Sequence, residues 1–241
     1  MKRDGLQKLK EICGITLNAS QKKAVENSNH AISLVHGPPG TGKTTVLASI
    51  VWKLLVNGKG VLVLAETNYA NKQVCECLLQ NKICTKRQLT LIVSKEFHEG
   101  KEEEYDRAYT RQKVKNRYTP VLIMTLSKLK LMKDTSVMSF RDEKGQFQSR
   151  DAVLVDEAGR ITDSSYVEAL PVLDEFKRMA VFGDPMQGSP HSSMRRKLES
   201  LITLLQKIPS SVVKKTFLDM QYRMVFDLGQ MVSETFFEKK V

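Results

Sequence analysis

The sequence predicts an α/β fold, a mostly parallel sheet flanked by helices. Three observations point to it. Short apolar runs alternate with amphipathic stretches along the whole chain. Most of the runs are apolar throughout rather than at every second residue, as strands buried on both faces require. A glycine-rich turn, Gly37 to Thr45, lies between one such run and a helical stretch. The 241 residues suffice for one large domain, and 41% apolar residues can build a substantial core.

Each element has its own reason. Ala19–Glu26 is expected to be a helix, because Asn18 followed by Gln21 resembles a capping box. Ala31–Val35 is the first predicted strand. Lys43–Val56 is a helix that opens straight from the glycine-rich turn. Gly60–Ala65 reads as a strand and Ala70–Gln80 as a helix. Thr90–Val93, Val121–Thr125 and Ala152–Asp156 are further strands. Asp163–Leu170 is a helix, Met179–Phe182 a strand, and Ser193–Gln206 a last helix. Lys95–Arg117 carries seven basic and six acidic residues, and its mixed signs suggest a solvated helix or protruding insertion. The polar stretch Phe140–Arg150 reads as a loop.

Composition narrows the function classes. The longest unbroken apolar runs have five residues, far short of the roughly 18 that span a bilayer, so no membrane partner is expected. Met1–Cys13 is rich in charge with no apolar block behind it, unlike a secretory signal. The four cysteines, Cys13, Cys75, Cys77 and Cys84, lack paired zinc-site spacing and fit free thiols in a reducing compartment. A cytoplasmic location is expected, with the nucleus second. The net charge of +11 commonly accompanies a polyanionic partner.

The strongest motif is Gly37-Pro38-Pro39-Gly40-Thr41-Gly42-Lys43-Thr44-Thr45, a match to G-x-x-x-x-G-K-[ST]. Its glycines let backbone N–H groups close around phosphate oxygens. Lys43 offers a positive charge to β- and γ-phosphates, and the Thr44 hydroxyl offers a ligand to Mg²⁺. The helix dipole behind the turn adds to the attraction. Ala152-Val153-Leu154-Val155-Asp156-Glu157 then places two acids at a strand end. Asp156 can hold Mg²⁺ and Glu157 can orient or deprotonate an attacking water. A third strand ends in Gly183-Asp184-Pro185-Met186-Gln187, where Gln187 can touch a γ-phosphate.

These runs, in this order and followed by Gln221-Tyr222-Arg223-Met224, resemble superfamily 1 helicases of the nonsense-mediated-decay and senataxin type. The resemblance covers about residues 16–240. It implies a RecA-like P-loop domain that uses ATP and Mg²⁺. It implies that Gln21 contacts adenine, that Tyr222 stacks on it, and that Arg223 reaches the γ-phosphate. It also implies that Thr67, Asn68 and Thr125 lie at the backbone of a single-stranded nucleic acid, RNA ahead of DNA. Residues 1–216 correspond to the first RecA-like domain and 217–241 to the start of a second, truncated one. Twenty-five residues cannot bury a core, so a protein partner supplying a second motor domain is the corresponding expectation. The expected function is ATP hydrolysis coupled to nucleic-acid binding; the alternative is a catalytically weak scaffold that binds ATP or RNA. Gly159, Gly188 and Val225 depart from the usual pattern, and these departures bear on coupling to nucleic acid more than on nucleotide binding.

Overall fold

A computed structural model describes residues 3–94, 97, 119–132, 139–142, 144–173, 176–188, 199–237 and 241. Its helices are α1 (Arg3–Cys13), α2 (Ala19–Asn27), α3 (Lys43–Val56), α4 (Asn68–Gln80), α5 (Leu126–Leu131), α6 (Asp163–Leu173), α7 (Leu201–Lys207) and α8 (Phe226–Phe236). Its strands are β1 (Ile32–His36), β2 (Gly60–Ala65), β3 (Leu89–Leu91), β4 (Val121–Thr125), β5 (Ser139–Arg141), β6 (Phe147–Val155), β7 (Arg178–Gly183) and β8 (Val213–Phe217).

The strands form one sheet in the order β3-β4-β2-β6-β7-β1-β8, every neighbouring pair parallel. Side-chain alternation along the strands feeds two cores. Val61 and Val63 of β2, Val121 and Ile123 of β4, and Ala152 and Leu154 of β6 pack on one face with Val46, Ile50 and Leu78 of the helices. Leu62 and Leu64, Leu122 and Met124, and Val153 and Val155 pack on the other with Leu129, Ile161 and Leu201. The predicted doubly covered parallel sheet is therefore the observed one. Among the described residues, no helix is long and apolar enough to cross a membrane.

Several boundaries differ from expectation. The stretch expected to be a loop, Phe140–Arg150, belongs largely to an antiparallel hairpin of β5 and β6, turned by Asp142 Oδ1 accepting the N–H groups of Lys144 and Gln146. Buried Arg150 closes its base by donating to the carbonyls of Thr119 and Ser139. The helix expected from Ser193 begins, among the described residues, at Leu201. Ser200 stays extended, and its hydroxyl accepts the N–H of Thr203 as a cap. Asp156 follows β6 rather than ending it. Strand β8 was not anticipated; it pairs with β1 through Phe217 and so joins the first sheet. The charged segment Lys95–Arg117 lies, apart from Phe97, outside the described residues.

Candidate active site

In parallel α/β sheets, ligands bind beyond the carboxyl ends of the strands. Here β6, β7, β1 and β8 are consecutive neighbours. The loops that follow them, near residues 156–160, 184–188, 37–42 and 218–225, therefore converge. Backbone bonds stitch them together: Gly37 N donates to Gly183 O (3.0 Å), Ala158 N to Phe182 O (3.0 Å), and Leu218 N to His36 O (2.9 Å). They enclose a cavity of about 670 Å³, lined in part by Pro39, Gly40, Gly42, Lys43, Thr44, Thr45, Asp156, Glu157, Gln187, Tyr222 and Arg223.

The phosphate loop is shaped by its glycines. Gly40 and Gly42 have φ of 74° and 83°, a region costly to other residues. Both also lie where a side chain would collide, Gly40 with Cβ of Arg223 and Gly42 with Nε2 of Gln21. Gly42 caps α3, so the helix N-terminus opens onto the cavity. Buried Thr41 braces the loop by donating from Oγ1 to Pro38 O at 2.8 Å. Lys43 Nζ folds back to donate to the carbonyls of Gly37 and Pro38. Burial pulls its ammonium below the usual lysine range, against the attraction of Asp156 and Asp184.

The acids stand opposite. Asp156 is 7% exposed. Burial raises its carboxyl to about 6, although the Glu157 N–H bonded to it and the Lys43 charge act the other way. Glu157 has φ of 51°, an uncommon conformation for a non-glycine residue. Its Oε2 is buried without a hydrogen-bond partner. The buried Asp156 carboxylate beside the buried Oε2 of half-buried Glu157 suits a divalent cation. Thr44 lines the same cavity, so the residues present fit Mg²⁺.

Gln187 is tied down, its amide donating to Asp184 Oδ2 at 2.7 Å. Burial pushes Asp184 up, but bonds from His36, Met186 N–H and Gln187 outweigh it and hold the carboxyl low. His36, which follows four residues of the first strand, lies 3.3 Å from Asp184 Oδ1 and 3.4 Å from Gln206 Nε2. Sequence reasoning did not single out His36 or Asp184; a polar residue immediately before the glycine-rich turn was the available signal.

Gln21 does two things. It completes the capping box with Asn18, and its Nε2 donates to Thr41 O of the phosphate loop at 3.1 Å. Tyr222 is 59% exposed rather than core-packed. Its N–H donates to Gly40 O at 2.9 Å, and its hydroxyl accepts from Asn18 Nδ2 at 2.8 Å. Gln221 bonds the backbone of Arg223 and Met224, fixing the turn that carries Arg223.

Thr67, Asn68 and Thr125, at the carboxyl ends of β2 and β4, do not line this cavity, although Ala70, Gln73 and Val74 of α4 do. Thr67 and Thr125 are N-caps, accepting the N–H of Ala70 and of Lys128. The Thr67 cap also explains why α4 starts at Asn68, earlier than expected. Asn68 Nδ2 donates to Ser94 Oγ at 3.3 Å. Gly159 has a packing reason: a side chain there would lie 2.8 Å from Asp184 O.

Comparison with known proteins agrees with this architecture. A family model described as an AAA domain matches residues 21–193. DNA polymerase alpha-associated DNA helicase A of Schizosaccharomyces pombe is 30% identical, over 93% of this chain and 40% of its own length. A regulator of nonsense transcripts 1 homolog of Arabidopsis thaliana is 26% identical, over 92% of this chain and 20% of its own. The DNA replication ATP-dependent helicase/nuclease DNA2 of Saccharomyces cerevisiae is 29% identical, over 94% of this chain and 14% of its own. The chain thus spans well under half of these relatives. In structure, the UvsW helicase of bacteriophage T4 superposes with a TM-score of 0.52 at 14% identity, covering 70% of this chain and 52% of that one. This last likeness shows the fold.

Proposed function

The chain belongs to the AAA domain family, among superfamily 1 helicases of the Upf1-like type, and from that premise we propose how its residues work. It is a helicase-type ATPase domain that hydrolyses ATP in response to single-stranded nucleic acid. One observation carries the reading: four adjacent strand ends deliver Lys43, Asp156, Glu157, Gln187, Tyr222 and Arg223 to one cavity.

On this reading Lys43 exchanges the carbonyls of Gly37 and Pro38 for β- and γ-phosphate oxygens. Pro39, Thr41 and Thr45 complete the loop around them. Thr44 and Asp156 hold Mg²⁺, which when bound offsets charge on the phosphates. Glu157 takes a proton from water as the water oxygen bonds to the γ-phosphorus. The bond from that phosphorus to the bridging oxygen breaks, and ADP leaves with the electron pair. Arg223 offsets the charge of the transition state. Gln187 touches the γ-phosphate and registers its loss. Tyr222 stacks on adenine, and Gln21 reads its edge.

The strand of nucleic acid runs over the ends of β2 and β4, at Thr67, Asn68 and Thr125. The basic excess supports a polyanionic track. RNA is the first strand to test, in keeping with the likeness to regulators of nonsense transcripts, and DNA the second. Translocation needs a second motor domain. Residues 218–241, beyond the last strand of the sheet, are the start of one. Alone, residues 1–241 bind ATP, hydrolyse it slowly and do not unwind a duplex. The compartment we favour is the cytoplasm, then the nucleus.

The test is ATP turnover by residues 1–241 with and without single-stranded RNA, across a salt series. Turnover is expected to rise with RNA, and the RNA affinity to fall steeply with salt. Turnover indifferent to both RNA and single-stranded DNA would overturn the coupling, and robust unwinding by this chain would overturn the need for a second domain.

A further inference from the structure

We infer that Arg160 contacts the γ-phosphate from within this domain, so that it separates nucleoside triphosphate from diphosphate. The inference rests on the nucleotide-binding reading above and adds a residue that the sequence motifs did not mark.

Arg160 lines the same cavity as Lys43, Thr44, Glu157 and Gln187. Its side chain is 53% exposed, and its Nε lies 3.9 Å from Glu157 Oε2. That separation is an ion pair but too long for a hydrogen bond. Among the described residues no hydrogen bond takes up its guanidinium. The donors are therefore unspent, next to the carboxylate assigned to the attacking water. On the proposed reading, that carboxylate faces the γ-end of the triphosphate.

The neighbouring backbone makes room for the arginine. Gly188 has φ of 74°, and a Cβ there would lie 3.1 Å from both Cγ and Nε of Arg160. The bare backbone lets the stem of Arg160 cross the loop beside Gln187. Gly159 does the complementary thing: without a side chain it packs against the carbonyls of Asp184 and Gln187. Two of the departures from the helicase pattern, Gly159 and Gly188, thus flank one arginine. Together they leave room for its guanidinium beside Glu157 in the cavity.

Charge favours the same placement. The acids facing the cavity are Asp156, Glu157 and Asp184, and its cations are Lys43, Arg160 and Arg223. A γ-phosphate brought close to Glu157 is repelled unless a cation intervenes. A guanidinium matches phosphate oxygens with two parallel hydrogen bonds, which a lysine cannot do. With triphosphate present, Arg160 turns from Glu157 to the γ-oxygens. With diphosphate it has no such partner and stays with the carboxylate.

The experiment is titration of residues 1–241, wild type and Arg160→Ala, with ADP and with ATPγS, both with Mg²⁺. We expect Arg160→Ala to lose about tenfold or more in ATPγS affinity while its ADP affinity stays unchanged. Arg160→Lys should fall in between, because it keeps the charge and loses the fork. Equal losses for both nucleotides, or no loss for either, would overturn the inference and leave the binding site standing. Failure of the wild type to bind either nucleotide would instead remove the nucleotide-binding reading, and this inference with it.

Discussion

The two walls of the cavity are built differently. One wall, from the ends of β1, β6 and β7, is locked into the middle of the sheet. Asp156, Asp184 and Thr41 are buried there, and backbone bonds tie each loop to the next strand. The other wall, Leu218 to Val225, has no regular structure. It hangs on a few bonds: Leu218 to His36, Tyr222 to Gly40 and to Asn18, and Asp219 to Ser20. Beyond it, Val225 and Phe226 are 74% and 79% exposed. The difference assigns the work. On the proposed reading, phosphate and metal meet the wall that does not need to move, and adenine and the γ-phosphate meet the wall whose position a few bonds decide.

The sharpest way to break this division is at Glu157. Glu157→Gln keeps the shape and removes the base, so turnover should fall by about 10² or more while ATPγS affinity holds. A fixed-wall residue that changed only stability would contradict the division. Next comes pH. Burial raises the Asp156 carboxyl to about 6, and on the proposed reading only the ionised form receives the metal. Affinity for Mg²⁺–ATPγS should therefore be level above that value and fall as pH drops through it, by about tenfold per unit. Asp156→Asn should be weak and flat across the range. A wild-type curve equally flat would show that this carboxylate does not bind the metal.

The smallest effect belongs to the lightly held wall. Asn18→Ala removes both the helix cap and the bond to the Tyr222 hydroxyl, and should cost about 1 kcal/mol in thermal or chemical unfolding. Tyr222→Phe keeps the helix cap and the aromatic ring and removes the hydroxyl that Asn18 Nδ2 binds. It should leave most of the stability in place while weakening adenine nucleotide binding. If the two variants bind nucleotide as wild type does, Asn18 does not position Tyr222.

Legibility followed burial. β2 and β4 were read at their observed limits because both faces are covered, leaving unbroken apolar runs. β8 was missed because it lies at the edge and carries Lys214 and Lys215. The hairpin of β5 and β6 was missed because its sequence is mostly polar, and its pairing depends on Arg150 reaching Thr119, far away in sequence. At the site, Lys43, Asp156 and Glu157 were legible because phosphate chemistry fixes their spacing from strand ends. His36, Asp184 and Arg160 were not, since their meaning comes from loops that meet only in the folded chain. Thr67 and Thr125 show the reverse: two residues marked by resemblance are helix caps in the fold.

The most direct measurement is titration of Mg²⁺–ATPγS into wild-type residues 1–241 and into Lys43→Ala, with circular dichroism to verify equal folding. The wild type should bind, and Lys43→Ala should lose about 100-fold or more, since the ammonium makes several charge-assisted bonds to phosphate at once. Equal affinity in two equally folded proteins would contradict the phosphate-loop account.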